Sequence, residues 1–187
     1  MKTKAGKITF GPLRENDLSL IHRWLNTPHV SQWYSIFGIS NPSRNEVERK
    51  YMPRIRGTDP VDCYLILHDD IAIGMVQSYK IDDFPEEKTN FDLDQSCAGI
   101  DIFIGEENYI HRGLGSLIVS RFLRDIVFTK YNVDCCIVDP HANNEIAIKA
   151  YNKAGFKYLK TVWYKKEGQQ EHILRIYRDE IGLKKGV

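Results

Sequence analysis

Asp101 stands between Ile100 and Ile102 in the run Ala98-Gly99-Ile100-Asp101-Ile102-Phe103-Ile104. Alternation along a strand puts its carboxylate on the opposite face from the two isoleucines. A carboxylate in an apolar strand is costly unless it has a use or a partner. Burial would raise its pKa and a bound cation would lower it, and the residues leave that balance open. A strand-end Asp facing solvent is the plainer alternative. Just downstream comes Arg112-Gly113-Leu114-Gly115-Ser116, between this strand and a helix-like segment over 117–129. Glycines at such a junction let the backbone approach a ligand closely. A helix start offers N–H groups to an anion, so the loop suits a phosphate. It has neither the Lys-Ser/Thr of a P-loop nor the third glycine of a dinucleotide fingerprint, so it does not say which phosphate. A tight turn with no ligand is the alternative. Tyr151 follows Ala147 by four residues and Asn144 by seven, so the three share one helix face. The plain reading of a tyrosine on that face is core packing under the sheet.

These groups must be carried by regular elements. Residues 8–10 read as a first strand ended by Gly11-Pro12. Residues 15–26 read as a helix, with Leu18, Ile21, His22 and Leu25 at helical spacing, Asn16 as candidate cap and Thr27-Pro28 as its stop. An aromatic segment over 30–37 holds Trp33, Tyr34 and Phe37 and reads as a short helix and a loop. Residues 43–52 read as a helix in which Ser43 and Glu46 form a capping box and Pro53 marks the end. The period then changes. Residues 63–67 and 71–79 read as a hairpin around His68-Asp69-Asp70, followed by an acidic loop and the strand over 98–104. A strand over 135–138, a helix over 143–154 ended by Gly155, and a strand pair around Glu167-Gly168 complete the chain. The order predicts a mixed α/β (α+β) fold: a central sheet of six to seven strands with about four helices. No repeat or linker interrupts it, so one domain is expected over 1–187.

Composition narrows the function classes. The chain has 187 residues, 42% hydrophobic, with a formal net charge of +1. That suits a folded domain and provides no global field to recruit nucleic acid or a membrane. Charge is instead local: between positions 82 and 101 the acids Asp82, Asp83, Glu86, Glu87, Asp92, Asp94 and Asp101 face Lys88 alone. They form either a solvated loop or the rim of a pocket for a cationic substrate. Cys63, Cys97, Cys135 and Cys136 show no metal-ligand spacing, and buried free thiols are expected. No signal-peptide pattern and no membrane-length apolar run is present, so a cytoplasmic protein is expected.

A strand, Arg112-Gly113-x-Gly115-Ser116 opening a helix, then Asp139-Pro140-His141-Ala142-Asn143-Asn144 before Ala147-x-x-x-Tyr151-x-x-x-Gly155-Phe156 resembles the GNAT acetyltransferase superfamily. Within it, Ile73-Gly74-Met75-Val76-Gln77-Ser78-Tyr79, Gly99-Ile100-Asp101 and Val138-Asp139-Pro140 are most similar to aminoglycoside 6′-N-acetyltransferases. Where relatives place Gln or Arg three residues before the first glycine of the loop, this chain has Ile110.

The resemblance implies acetyl-CoA as co-substrate, bound by Phe103, Ile104, Arg112, Gly113, Leu114, Gly115, Ser116, Asn144, Ala147 and Tyr151, and no metal. It implies direct attack of an amine on the thioester in a ternary complex. Asp101 takes or orients the amine proton, Tyr151 protonates the leaving thiolate, and backbone N–H groups over 102–104 polarise the carbonyl. A polycationic acceptor needs carboxylates and polar acceptors, for which the candidates are Trp33, Tyr34, Gln77, Asp82, Asp83, Asp101, Asp139 and Glu167. The pairs Asp92/Asp94 belong to the same acidic stretch. A monomer or homodimer is expected. Two other readings stay open: a lysine or hydroxylysine acyltransferase of siderophore type or a protein N-terminal acetylase, and a non-catalytic acyl-CoA-binding domain.

Overall fold

A computed structural model describes residues 6–91, 93–164 and 168–182. The strands are β1 (Ile8–Pro12), β2 (Val61–His68), β3 (Ile71–Lys80), β4 (Cys97–Ile104), β5 (Cys135–Val138), β6 (Lys157–Tyr164) and β7 (Gln169–Tyr177). They form one mixed sheet in the order β1-β2-β3-β4-β5-β7-β6. The helices are α1 (Leu18–Leu25), α2 (Pro28–Ser31), α3 (Arg44–Ile55), α4 (Pro85–Phe91), α5 (Leu114–Phe122), α6 (Phe128–Lys130) and α7 (Glu145–Ala154). This is the α+β arrangement expected from the order of the segments. Two compact units divide the chain, residues 1–77 with 102–112 and residues 78–101 with 113–187, the cuts falling inside β3 and β4.

In the first unit, β1 and β2 pair antiparallel from Ile8↔His68 to Pro12↔Tyr64. The hairpin from β2 to β3 turns on Asp69 and Asp70, both at positive φ (48° and 65°), as a two-residue turn of this hand requires. Leu18, Ile21, Trp24 and Leu25 of α1 pack with Val47 and Tyr51 of α3, Met75 and Phe103 into one core. Asn16 does not cap α1; it lies in a 3-10 turn (Glu15–Asp17), where Asp17 accepts from the Arg14 backbone N–H at 2.8 Å. The expected stop at Thr27-Pro28 holds for α1, but Pro28 also opens α2, because its fixed φ suits a first helical position. Ser43 and Glu46 form the expected capping box. Pro53 does not end α3, which runs on to Ile55. In the last turn its missing N–H costs one bond without a following helix to disrupt.

In the second unit, β5 pairs parallel with β4 and antiparallel with β7, and its four residues are all buried. That matches a continuous apolar run covered on both faces. α5 continues through a π-helical segment (Leu123–Val127) into α6. Gly155 closes α7 at φ 107°, where an L side chain would be strained. Arg178, directly after β7, is 8% exposed and donates to the carbonyls of Val133, Phe128 and Tyr131 at 3.0, 2.8 and 2.7 Å. The acidic stretch expected as loop contains α4, started by Pro85 at a position tolerant of proline. The expectation of free thiols fails for two cysteines. Cys97 and Cys135 sit opposite each other on the first rung of the β4–β5 ladder, Cα atoms 4.7 Å apart, and are joined as a disulfide. Cys136 projects to the other face and is free and buried, and Cys63 is free and partly buried. Among the described residues, no helix is long and apolar enough to cross a membrane.

Candidate active site

The β4–β5 register runs from Cys97↔Cys135 to Gly99↔Ile137. Asp101 and Asp139 each come four residues after a cysteine of the first rung, so adjacent parallel strands release both carboxylates at the same end. Three further groups converge on them. Tyr79, near the end of β3, is 7% exposed, and its hydroxyl is hydrogen-bonded to Glu87 of α4. Gly99 makes room for that ring: a Cβ there would come within 2.5 Å of it. Glu171 of β7 bridges to His141, and its Oε1 accepts from Gln169 Nε2 at 2.8 Å. Tyr151 of α7 is 7% exposed, its ring edge-to-face with Phe156 at 5.6 Å.

The electrostatics follow from this clustering. Burial pushes the Asp139 carboxyl well above the usual carboxylate range, and the charges of Asp101, Glu171 and Glu87 push it further. Like charges at close range disfavour simultaneous ionisation, so the cluster suits a cation that would relieve it. The Tyr79 hydroxyl is also raised, by burial first and then by Asp101, Asp139 and Glu87. Burial, then Asp101, Asp139 and Cys136, raises the Tyr151 hydroxyl. Both tyrosines therefore keep their protons at neutral pH and are available as donors. Burial drives the Cys136 thiol upward as well, which suits an inert spectator rather than a nucleophile. Asp101 is the charge common to all four of these groups.

The second unit also contains the anion cradle. Gly113 is the N-cap of α5 at φ 72°, and a Cβ placed on it would meet nothing within 4 Å. At this helix N-terminus the first-turn N–H groups of Leu114, Gly115 and Ser116 precede the first intrahelical acceptors, the arrangement that suits an anion. Gly115 lies against α7, where its Cβ would stand 3.2 Å from Ala150. Helix α5 starts at Leu114, three residues earlier than the segment over 117–129 anticipated. Asn144 caps α7, its Oδ1 accepting from Ala147 N–H at 3.1 Å, which leaves its Nδ2 as the donor to offer a ligand. These groups fit a pyrophosphate-bearing ligand by donor chemistry.

The remaining sequence candidates are distributed differently. Asp82 is ion-paired with Lys88 at 2.6 Å, and Asp83 and Asp94 are exposed. Glu167 and Asp92 lie outside the described residues. In the first unit, Trp33 is 41% exposed and Tyr34 meets Phe103 edge-to-face at 5.0 Å. Gln77 is buried, and its Oε1 accepts from Arg54 at 2.6 Å. The Ile104 carbonyl contacts His29 Nε2 at 3.2 Å. Arg112 lies over the Tyr109 ring, 5.5 Å from its centroid. Glu87 and Glu171 escaped the sequence reading. Glu87 was visible in the acidic stretch but indistinguishable there from its solvated neighbours, and Glu171 sits in an alternating strand with no signal of its own.

A mixed sheet with parallel β4 and β5, a glycine-started helix and a carboxylate–tyrosine cluster defines an acyl-transfer class. Residues 14–163 match the acetyltransferase (GNAT) domain family, and the chain belongs to that family of acyltransferases. It is similar to aminoglycoside N(6′)-acetyltransferase type 1 of Klebsiella pneumoniae and of Serratia marcescens. Each is 30% identical over 159 residues, spanning 83% of this chain and 76% of the relative. It also resembles the solved structure of AAC(6′)-Ib in complex with ribostamycin and coenzyme A (26% identity, TM-score 0.80, covering 96% of this chain and 98% of that one). The same enzyme with coenzyme A and kanamycin matches at 26% identity and TM-score 0.78, over 94% of this chain and 98% of that one.

Proposed function

We propose that this chain is an acetyl-CoA-dependent aminoglycoside 6′-N-acetyltransferase, acting as a single domain. The observation that carries the reading is the set of carboxylates Asp101, Asp139, Glu87 and Glu171 gathered around two protonated tyrosines. A neutral acceptor would leave those like charges uncompensated, whereas a polycationic amine compensates them. The glycine-started helix α5 and the Asn144 amide are the groups that would hold the CoA pyrophosphate and its pantetheine arm.

Asp101 accepts a proton from the substrate ammonium, freeing the nitrogen lone pair. The nitrogen attacks the thioester carbonyl carbon, and backbone N–H groups over 102–104 stabilise the oxyanion. The C–S bond then breaks, the departing thiolate takes the Tyr151 hydroxyl proton, and the second proton that the nitrogen sheds as the amide forms restores that hydroxyl. The products are an acetamide and free CoA thiol. No protein nucleophile is needed, consistent with the raised thiol of Cys136. We read the enzyme as cytoplasmic, the compartment that supplies acetyl-CoA, and as a monomer or homodimer.

Kanamycin with acetyl-CoA is expected to release free thiol in a colorimetric assay. Turnover of a lysine derivative with no turnover of any 6′-amino aminoglycoside would replace this reading with a siderophore-type acyltransferase. Tight acetyl-CoA binding with no transfer to any amine would replace it with a binding domain.

Replacing Tyr151 with Phe keeps the ring against Phe156 and removes only the proton donor. Steady-state kinetics at neutral pH should give a kcat lowered by on the order of 10²-fold with little change in the KM for acetyl-CoA. An unchanged kcat would remove the hydroxyl from the mechanism.

A further inference from the structure

Trp24 of α1 is fully buried and packs in the core with Ile21, Leu25, Met75 and Phe103. A buried indole N–H needs an acceptor, and Trp24 Nε1 donates to Glu106 Oε1 at 2.8 Å. The Arg23 guanidinium, from the preceding residue of the helix, donates to the same oxygen. These two bonds, Arg23 first, hold the Glu106 carboxyl below the usual carboxylate range, so it is ionised at neutral pH. Glu106 stands two residues past the end of β4, and the mechanism above does not use it.

Glu106 is the last of four consecutive residues held by the segment over 23–34. Phe103 meets the rings of Trp24 and Tyr34 edge-to-face at 6.2 and 5.0 Å. The Ile104 carbonyl contacts His29 Nε2 at 3.2 Å. Gly105 lies against the Trp24 ring, where a Cβ would come within 2.1 Å of it. The N–H groups of Gly105 and Glu106 both donate to the Ile73 carbonyl, at 2.8 and 3.0 Å. All of these residues belong to the first unit. The β4–β5 ladder ends at Gly99↔Ile137, whereas β4 runs on to Ile104. That end of β4 is therefore held by side chains of α1 and α2 rather than by a ladder to β5. Backbone donors stabilise a developing oxyanion only when fixed in place, and a displacement of about 1 Å can cost about 10²-fold in rate.

We propose that Glu106 is a positioning residue for acyl transfer. Clamped by Trp24 and Arg23, it fixes the backbone N–H groups over 102–104 in the place from which they polarise the thioester carbonyl. The inference rests on the acetyltransferase reading and on those N–H groups as the oxyanion donors.

Glu106→Ala should lower kcat by on the order of tenfold, part of the cost of a displaced donor. The KM for kanamycin should change little, because the acceptor's carboxylates are not substituted. Glu106→Gln keeps an oxygen for the Trp24 N–H and should recover most of the lost rate. The direct readout is isotope-edited infrared spectroscopy of carbonyl-labelled acetyl-CoA, bound with no acceptor present. Its C=O stretch should move to lower wavenumber on binding to the intact protein, and should move less on binding to Glu106→Ala. The same stretch in both proteins, whatever the rates, would reduce Glu106 to a structural role and overturn the proposal. If Glu106→Ala does not fold, Trp24→Phe replaces it: an aromatic ring stays in the core, the N–H is lost, and the stretch should change in the same direction. Failure of the intact protein to bind acetyl-CoA or to acetylate any amine would sink the functional reading itself, a result separable from an unchanged stretch.

Discussion

Asp101→Asn is expected to lower kcat for aminoglycoside acetylation by on the order of 10²-fold or more, the scale of losing a general base. The substitution is nearly isosteric, so β4 should keep its place between β3 and β5. What changes is charge. Asp101 is the anion that, after burial, raises Tyr79, Cys136, Asp139 and Tyr151 together. Removing it takes away one of the like charges that oppose ionisation of Asp139. Asp139 should then ionise more readily and replace part of the lost negative potential. Binding of the polycation should accordingly suffer less than chemistry, with KM for the acceptor rising severalfold while kcat falls far more. Steady-state kinetics with kanamycin check both numbers. An unchanged kcat would remove Asp101 from the mechanism, and a change confined to KM would make it a binding carboxylate only.

Arg178→Met should destabilise the fold by roughly 3 kcal/mol, lowering Tm by roughly 10 °C. Methionine matches the length of the arginine stem but donates nothing. The carbonyls of Phe128, Tyr131 and Val133 would lose charge-assisted donors in a site where Arg178 is 8% exposed. Those carbonyls belong to α6 and to the segment leading into β5, so the clamp holds the start of the strand that ends beside Asp139. Lysine should rescue poorly, since one ammonium cannot reach three divergent carbonyls as a planar fork does. Denaturant unfolding monitored by tryptophan fluorescence gives the measurement. A loss below about 1 kcal/mol would mean that water replaces the guanidinium at little cost.

Most of the framework is legible in local chemistry. The Ser43–Glu46 capping box, the Asp69-Asp70 turn and the Gly155 stop each rest on residues within a few positions of one another, where backbone preference decides. The misjudged boundaries have local causes of a different kind. Pro53 falls in the last turn of α3, where proline is tolerated, and Pro85 starts a helix in a stretch whose charges read as loop. The Cys97–Cys135 bond is not a local property, because it needs the parallel register of two strands separated by a helix.

The sequence by itself determined the class of chemistry. A carboxylate in an apolar strand, glycines at a strand-to-helix junction and a tyrosine on the face of Asn144 and Ala147 are choices of residue type and spacing. The carboxylate is costly in an apolar strand without a use or a partner, and the glycines let a ligand approach the backbone. Only the tertiary structure decided which carboxylates act together. Glu87 and Glu171 come from a short helix and a late strand, and join Asp101 and Asp139 because the order β3-β4-β5-β7 brings those elements side by side. Likewise Arg54 meets Gln77 Oε1 across 23 positions of chain. Through-space charge and hydrogen bonding depend on distance in the fold, and sequence separation carries no record of that distance.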